Sequence, residues 1–221
     1  MDNAVHAVAS SSASVKPALI AAEYPYQGIV RFTLSGGVAI VSRNCYFDCL
    51  FTIDQLPLSL TDTQLENIYH AGRIYLAEKQ AQYYLNRAEH STYQLNLKLQ
   101  KKGFSPGEVQ PALAYLTEAG LLDDSRFAAA WLHTRGITKQ EGYQRLFAEL
   151  LKRGISAEIA RIALNDLFAE TDEECLCRNA AGKLIRRGYA GAQLVRALQR
   201  KGFSFSMIKR CAGESISAAA Y

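Results

Sequence analysis

The side chains whose types and spacing suit chemistry in this chain are cations, and they come in pairs. Lys101-Lys102, Lys152-Arg153 and Arg200-Lys201 stand directly before Gly103, Gly154 and Gly202. Adjacent cations donate to phosphate or carboxylate oxygens, so what they offer is recognition of an anion, with no bond made or broken. Residues 175–221 add to this: nine Lys/Arg face the single Glu214, a local charge of +8 in a chain of net charge +4. Arg186, Arg187, Arg196, Arg200, Lys201, Lys209 and Arg210 exceed what helix capping needs. Such a density repels itself unless an acidic partner meets it, which marks an interaction surface. For Lys101-Lys102 and Lys152-Arg153, favourable placement at a helix C-terminus accounts for the charges as well as a partner does.

Other chemistry is not indicated. The sequence holds no Gly-x4-Gly-Lys-Ser/Thr loop, no Gly-x-Ser-x-Gly and no His-Glu-x-x-His, so neither catalytic residues nor a cofactor is expected. Asp123-Asp124 reads as a helix cap with dipole partners rather than an acid/base pair. Arg126 and Arg135 read as structural partners of such carboxylates, His90 as a polar loop residue, and Phe127 with Trp131 as core. Cys45-x3-Cys49 and Cys175-x-Cys177 lack the paired Cys/His sets of a metal site, so no metal is expected. An odd number of cysteines without a framework favours a reducing compartment, the cytoplasm. No apolar run approaches the roughly 18–20 residues of a membrane span.

The elements that position the cations follow from the same repeated phrase. Leu99, Leu150 and Leu198 lie four residues before the three glycines, and Leu95, Leu146 and Leu194 eight before. Leucines four apart share a helical face, and glycine suits the position after the last turn. The glycines are 51 and 48 residues apart, and a fixed period of that length signals stacked helical units. Three helices and their turns fill such a period, giving repeats at about 76–123, 124–170 and 171–213 within a helical region 61–221. The units are expected to share a continuous core and form an elongated, curved body. Asp62 is the expected cap of a long first helix to about residue 88, with Gly72 as a point where it divides. Ser91-x-x-Gln94 and Thr171-x-x-Glu174 have the capping-box form, Pro106 suits a first turn, and Asp124 or Ser125 is the expected cap of the second unit. Upstream, Ile29–Leu34 and 38–41 flank Ser35-Gly36-Gly37 as a hairpin, and 45–53 is β-prone. This small β segment, 23–60, precedes the helices, with a break at Leu56-Pro57-Leu58. The Ala/Ser-rich residues 1–22 are expected to be mobile. The fold class is mainly α, with a small N-terminal β segment.

Several blocks resemble one family. Arg87-Ala88-Glu89-His90-Ser91, then Leu95, Leu99 and Lys102-Gly103-Phe104, resemble the first repeat of RecX, the bacterial regulators of the RecA recombinase. Leu121-Leu122-Asp123-Asp124-Ser125-Arg126-Phe127-Ala128 with Trp131 and Arg135 resembles that family's most recognisable block. Gly142-Tyr143-Gln144-Arg145-Leu146, Glu149-Leu150 and Arg153-Gly154-Ile155 continue it in order. The likeness spans about 79–213; Ser35-Gly36-Gly37 departs from the acidic hairpin turn of longer members, and 43–53 has no counterpart.

The resemblance implies a non-enzymatic modulator with three tandem three-helix repeats. It implies binding in the groove of the RecA–single-stranded-DNA filament, with inhibition of ATP hydrolysis, strand exchange and the co-protease activity behind the SOS response. A monomer with weak, sequence-independent contact to single- or double-stranded DNA is the expected form. Two other classes fit the residues alone: a basic helical DNA-binding protein acting without RecA, and a helical-repeat adaptor for another protein.

Overall fold

β-branched and aromatic residues build the first unit. Strand β1 (Ala18–Tyr26), β2 (Ile29–Leu34), β3 (Ala39–Arg43) and β4 (Leu58–Ser59) form an antiparallel sheet in the order β3-β2-β1-β4. Along β2, Val30, Phe32 and Leu34 are buried and Arg31 is exposed, the alternation of a one-faced sheet. Helix α1 (Asp62–Leu85) lays Leu65, Ile68 and Ala71 against that face. Gly72 lies where helix and sheet approach closely, since a Cβ there would sit 2.5 Å from Ile40 Cγ2. This computed structural model describes residues 17–47 and 56–217 and comprises two units, Met1–Leu76 and Ala77–Tyr221, divided within α1.

The first unit departs from expectation in four places. β1 starts inside the stretch expected to be mobile; only Leu19 in it is fully buried, so alternation is too weak to announce a strand. β4 falls where a break was expected. Asn44–Tyr46 is a 3-10 turn rather than a strand, and the rest of the expected strand, from residue 48, lies outside the described residues, as do residues 1–16. Gly72 does not divide α1: the helix runs through it, and the glycine supplies clearance rather than a break.

The second unit continues with α2 (Thr92–Lys101), α3 (Pro106–Glu118), α4 (Asp124–Lys139), α5 (Tyr143–Leu151), α6 (Ala157–Glu170), α7 (Glu173–Ile185), α8 (Gly191–Arg200) and α9 (Phe205–Ser217). Oxygen-bearing side chains start most of them. Ser91 accepts from Gln94 N, Ser105 and Glu108 form a reciprocal box, and Ser156 accepts from Ile159 N. Three caps sit one residue from the expected positions, or opposite their neighbour. Thr61, not Asp62, boxes with Gln64; Asp123, not Asp124 or Ser125, accepts from Ser125 N and Arg126 N; Asp172, not Thr171, accepts from Glu174 N. Asp62 and Asp124 instead occupy the first turn, where an anion suits the helix dipole.

Each repeat closes its own core. Ala81, Leu95, Leu99, Val109, Leu113 and Leu116 form one cluster. Phe127, Leu132, Leu146, Leu150 and Leu164 form the next, and Cys177, Leu184, Leu194, Leu198, Phe203 and Ile208 the third. The continuous core expected from stacking is therefore not what holds the repeats together. Two hydrogen-bonded joints of the same design link them. Ser91 Oγ donates to the Arg153 carbonyl (2.6 Å), and Gly142 N donates to the Lys201 carbonyl (2.8 Å). Next to these, Thr92 N donates to Asp124 Oδ1 and Tyr143 N to Glu173 Oε1, each at 2.8 Å. Thus the start of α2 is capped by the second repeat, and the start of α5 by the third.

The glycine of the repeated phrase makes this approach sterically feasible. Gly154 (φ +80°) packs on Tyr93 and Gly202 (φ +93°) on Arg145, where any Cβ would overlap the Tyr93 side chain or the Arg145 backbone. Gly188 (φ +86°) has the same backbone geometry but nothing within 4 Å of an added Cβ. Denaturant unfolding of three alanine variants therefore separates the two effects. Gly188→Ala is expected to cost about 1–2 kcal/mol for the left-handed backbone alone. Gly154→Ala and Gly202→Ala should each cost at least ~1 kcal/mol more through overpacking. Equal losses at all three sites would mean that the joints are not tightly packed.

Candidate interaction surface

Behind the second copy of the phrase lies a chain of alternating charges around the one tryptophan. α4 carries Phe127 into the core and leaves Trp131 half-buried one turn later. The Arg135 and Arg153 guanidinium carbons stand 5.2 and 4.4 Å from its ring centroid, within cation–π range. Arg135 donates twice to Glu141, from Nε to Oε2 (2.7 Å) and from Nη2 to Oε1 (3.2 Å). Arg153 Nη1 donates to Glu149 Oε2 (2.8 Å) and to the Glu149 carbonyl. Arg145 spans both acids, 3.8 Å from Glu141 and 3.5 Å from Glu149. The loop that returns α4 into α5 places Gln140 in the left-handed region (φ 49°), which brings Glu141 back toward Arg135. Arg126 serves similarly, donating to Glu89 (2.6 Å) and to the Gly120 and Leu121 carbonyls.

These contacts sort the sequence-derived cations. Arg153 is committed to the Trp131 network, and Lys152, 72% exposed, lies 3.7 Å from Glu149. Arg210 pairs with Glu174 at 2.6 Å. Lys201 is half-buried and donates from Nζ to the Lys139 carbonyl (2.9 Å) beside the second joint. Lys101, Lys102, Arg186, Arg187, Arg196, Arg200 and Lys209 are exposed with no ion pair to a carboxylate among the described residues.

Around Lys201 the fold gathers charge that the sequence did not single out. Burial pushes the Lys201 ammonium below the usual lysine range; Glu141 opposes this, while Lys183, Arg187 and Lys139 reinforce it. Lys139, whose carbonyl takes the Lys201 ammonium, and Lys183 thus join the cations whose charge is felt at Lys201, where the second and third repeats meet. Each is an isolated cation in sequence, and only their phase within the repeats could have pointed to them.

Little else in the described residues suits chemistry. No group of three His, Cys, Asp or Glu among them is placed to hold a metal. Burial pushes the Cys177 thiol up to about 12, with Cys211 adding to the effect, far from a reactive thiolate. No helix among the described residues is long and apolar enough to cross a membrane.

The network is pH-sensitive. The hydrogen bond from Arg153, aided by Arg153, Lys152 and Arg145 charges and opposed by burial, holds the Glu149 carboxyl below its ordinary range. A depressed folded-state pKa contributes stability above the unfolded value, about 4.3, and that contribution is lost as pH falls through the folded value. Glu149→Gln is expected to cost about 1–3 kcal/mol at pH 7 and to flatten the acid limb of stability against pH. An unchanged acid limb in urea titrations would place the linkage elsewhere.

Two family models match in place. One described as RecX, first three-helix domain, covers residues 77–116, and one described as RecX, second three-helix domain, covers 123–164. The regulatory protein RecX of Treponema pallidum is 44% identical over 151 residues, 68% of this chain and 92% of that protein. That of Halorhodospira halophila is 32% identical over 133 residues, 58% of this chain and 81% of its own. A crystal structure of regulatory protein RecX shares the fold at TM-score 0.68 and 22% identity, covering 91% of this chain and 99% of that one. RecX from Lactobacillus salivarius superposes at 0.58, also at 22% identity, over 67% of this chain and 99% of its own. With the first two three-helix domains matched in order and nearly the whole of a 44%-identical relative covered, this chain belongs to the RecX family.

Proposed function

We propose that this chain is a non-enzymatic regulator that binds the RecA–single-stranded-DNA filament and inhibits its ATP hydrolysis, strand exchange and SOS co-protease activity. It acts in the cytoplasm as a monomer. One observation carries the site within this reading. Arg186, Arg187, Arg196, Arg200 and Lys209, all in the third repeat, are exposed without carboxylate partners among the described residues. Cations left unneutralised by their own chain are matched by a polyanionic partner, and the filament offers DNA phosphates as well as acidic protein surface. The charges of Lys139, Lys183 and Arg187 felt at Lys201 extend this surface to the junction with the second repeat.

The test is single-stranded-DNA-dependent ATP hydrolysis by RecA, titrated with the folded chain. A dose-dependent fall is expected; no change at any ratio would overturn the proposal. Arg186→Glu with Arg187→Glu and Arg200→Glu should weaken filament association while leaving helicity intact, because none of the three is engaged in a joint. If the three side chains each meet a phosphate, their loss also lowers the slope of log affinity against log salt by about 2. Lys201 is unsuited to this test, since its side chain and carbonyl both hold the second joint.

A further inference from the structure

The second repeat has a groove that the basic surface does not use. It opens between α4 and α6, about 380 Å³ in volume, with Leu132 and Ile159 in its wall, Ser125 and Ile162 on opposite sides, and Asp166 and Glu170 on its rim. Ile162, 56% exposed, adds an aliphatic side chain to the groove's open side. Asp166 and Glu170 lie four apart on one helix, where like charges repel, and neither has an ion-pair partner among the described residues.

The third repeat shows what the same place accepts. Ser156 and Ser204 both cap the third helix of their repeats, which aligns Ile162 with Arg210. Asp124 and Glu173 both open the first helix, which aligns Ser125 with Glu174. In the third repeat Arg210 reaches from α9 to Glu174 on α7, with Nε at 2.7 Å and Nη2 at 2.6 Å from Oε1. In the second repeat a serine and an isoleucine occupy these two positions, and no such clasp forms. The groove keeps its apolar wall; Asp166, which aligns with Glu214 of the third repeat, and Glu170 stand beside it, and its lining holds His133 but no arginine or lysine.

We infer that the α4–α6 groove of the second repeat docks a protein segment presenting an arginine or lysine beside an aliphatic side chain. On the function proposed above, on which this rests, that segment belongs to a RecA protomer of the filament. The guanidinium or ammonium meets Asp166 and Glu170, and the aliphatic group covers Ile162. The acidic rim repels phosphates, so the groove contacts protein, whereas the third repeat's cations serve the DNA. The chain thereby meets its filament with two surfaces of opposite sign.

The experiment builds the third repeat's clasp into the second. The 221-residue chain carrying Ser125→Glu with Ile162→Arg fills the groove from within. A second variant, Asp166→Lys with Glu170→Lys, reverses the rim at exposed positions and keeps the test open if the first variant fails to fold. Both are compared with the unmodified chain for association with RecA–single-stranded-DNA filaments and with bare single-stranded DNA. Filament affinity is expected to fall at least about tenfold, with affinity for bare DNA unchanged or, for the rim reversal, increased. Unaltered filament affinity in a folded variant overturns the inference alone, as does an equal fall on bare DNA. If the unmodified chain fails to associate with filaments, the proposed function falls, and the inference with it.

Discussion

A helix begins with backbone N–H groups that its own carbonyls cannot reach. In this protein the second helix of one repeat is completed by the repeat that follows. Asp124 and Glu173, each the first residue of a new repeat's first helix, accept from the first residue of the preceding repeat's second helix. The carbonyls just before Gly154 and Gly202 accept from the cap positions alongside. Order along the chain is thereby converted into order in space. A few donors and acceptors of narrow geometry, with Tyr93 packed on Gly154 and Phe203 on Gly142, specify which unit lies next to which. The core clusters can then remain within their own repeats.

That division of labour also sorts the cations. A basic residue before the glycine presents its carbonyl to the neighbouring repeat, so part of its role belongs to the backbone. Where its side chain also turns inward, as in Arg153 against Trp131 or Lys201 against Lys139, the charge is used to hold the body. Where the side chain stays outside, the charge is available to a partner. Arg186 and Arg187 show the difference: they end a first helix rather than a second, take no part in a joint, and remain exposed.

The glycine phrase was legible because three copies in register outweigh any single helix ending, and helix positions followed from leucine spacing. The other half of each joint was not legible. Ser91 contributes a hydroxyl and Gly142 a backbone amide to the same role, and Asp124 and Glu173 differ in type, so no shared letter marks the positions. β1 escaped because Ala18–Tyr26 buries one large side chain fully and takes its strand geometry from β2 and β4. The Trp131 network draws on residues 131 to 153, and its closure depends on a non-glycine residue, Gln140, adopting left-handed geometry. Spacing does not reveal such a turn. Cap positions were misjudged by one where two oxygen-bearing residues stood side by side, since either could have accepted the amide until the backbone chose.

The polar character of the joints has a calorimetric consequence. Heat capacity changes in unfolding come chiefly from exposing apolar surface. Opening a joint exposes its hydrogen-bonding groups and the one aromatic ring packed on its glycine, Tyr93 or Phe203, whereas melting a repeat exposes a whole leucine cluster. The free energy of separating two repeats therefore varies only gently with temperature, while that of unfolding each repeat follows a curved dome. Cooling or warming shifts the balance between the two, and the repeats' coupling is at its greatest, relative to their individual stabilities, toward the edges of that dome.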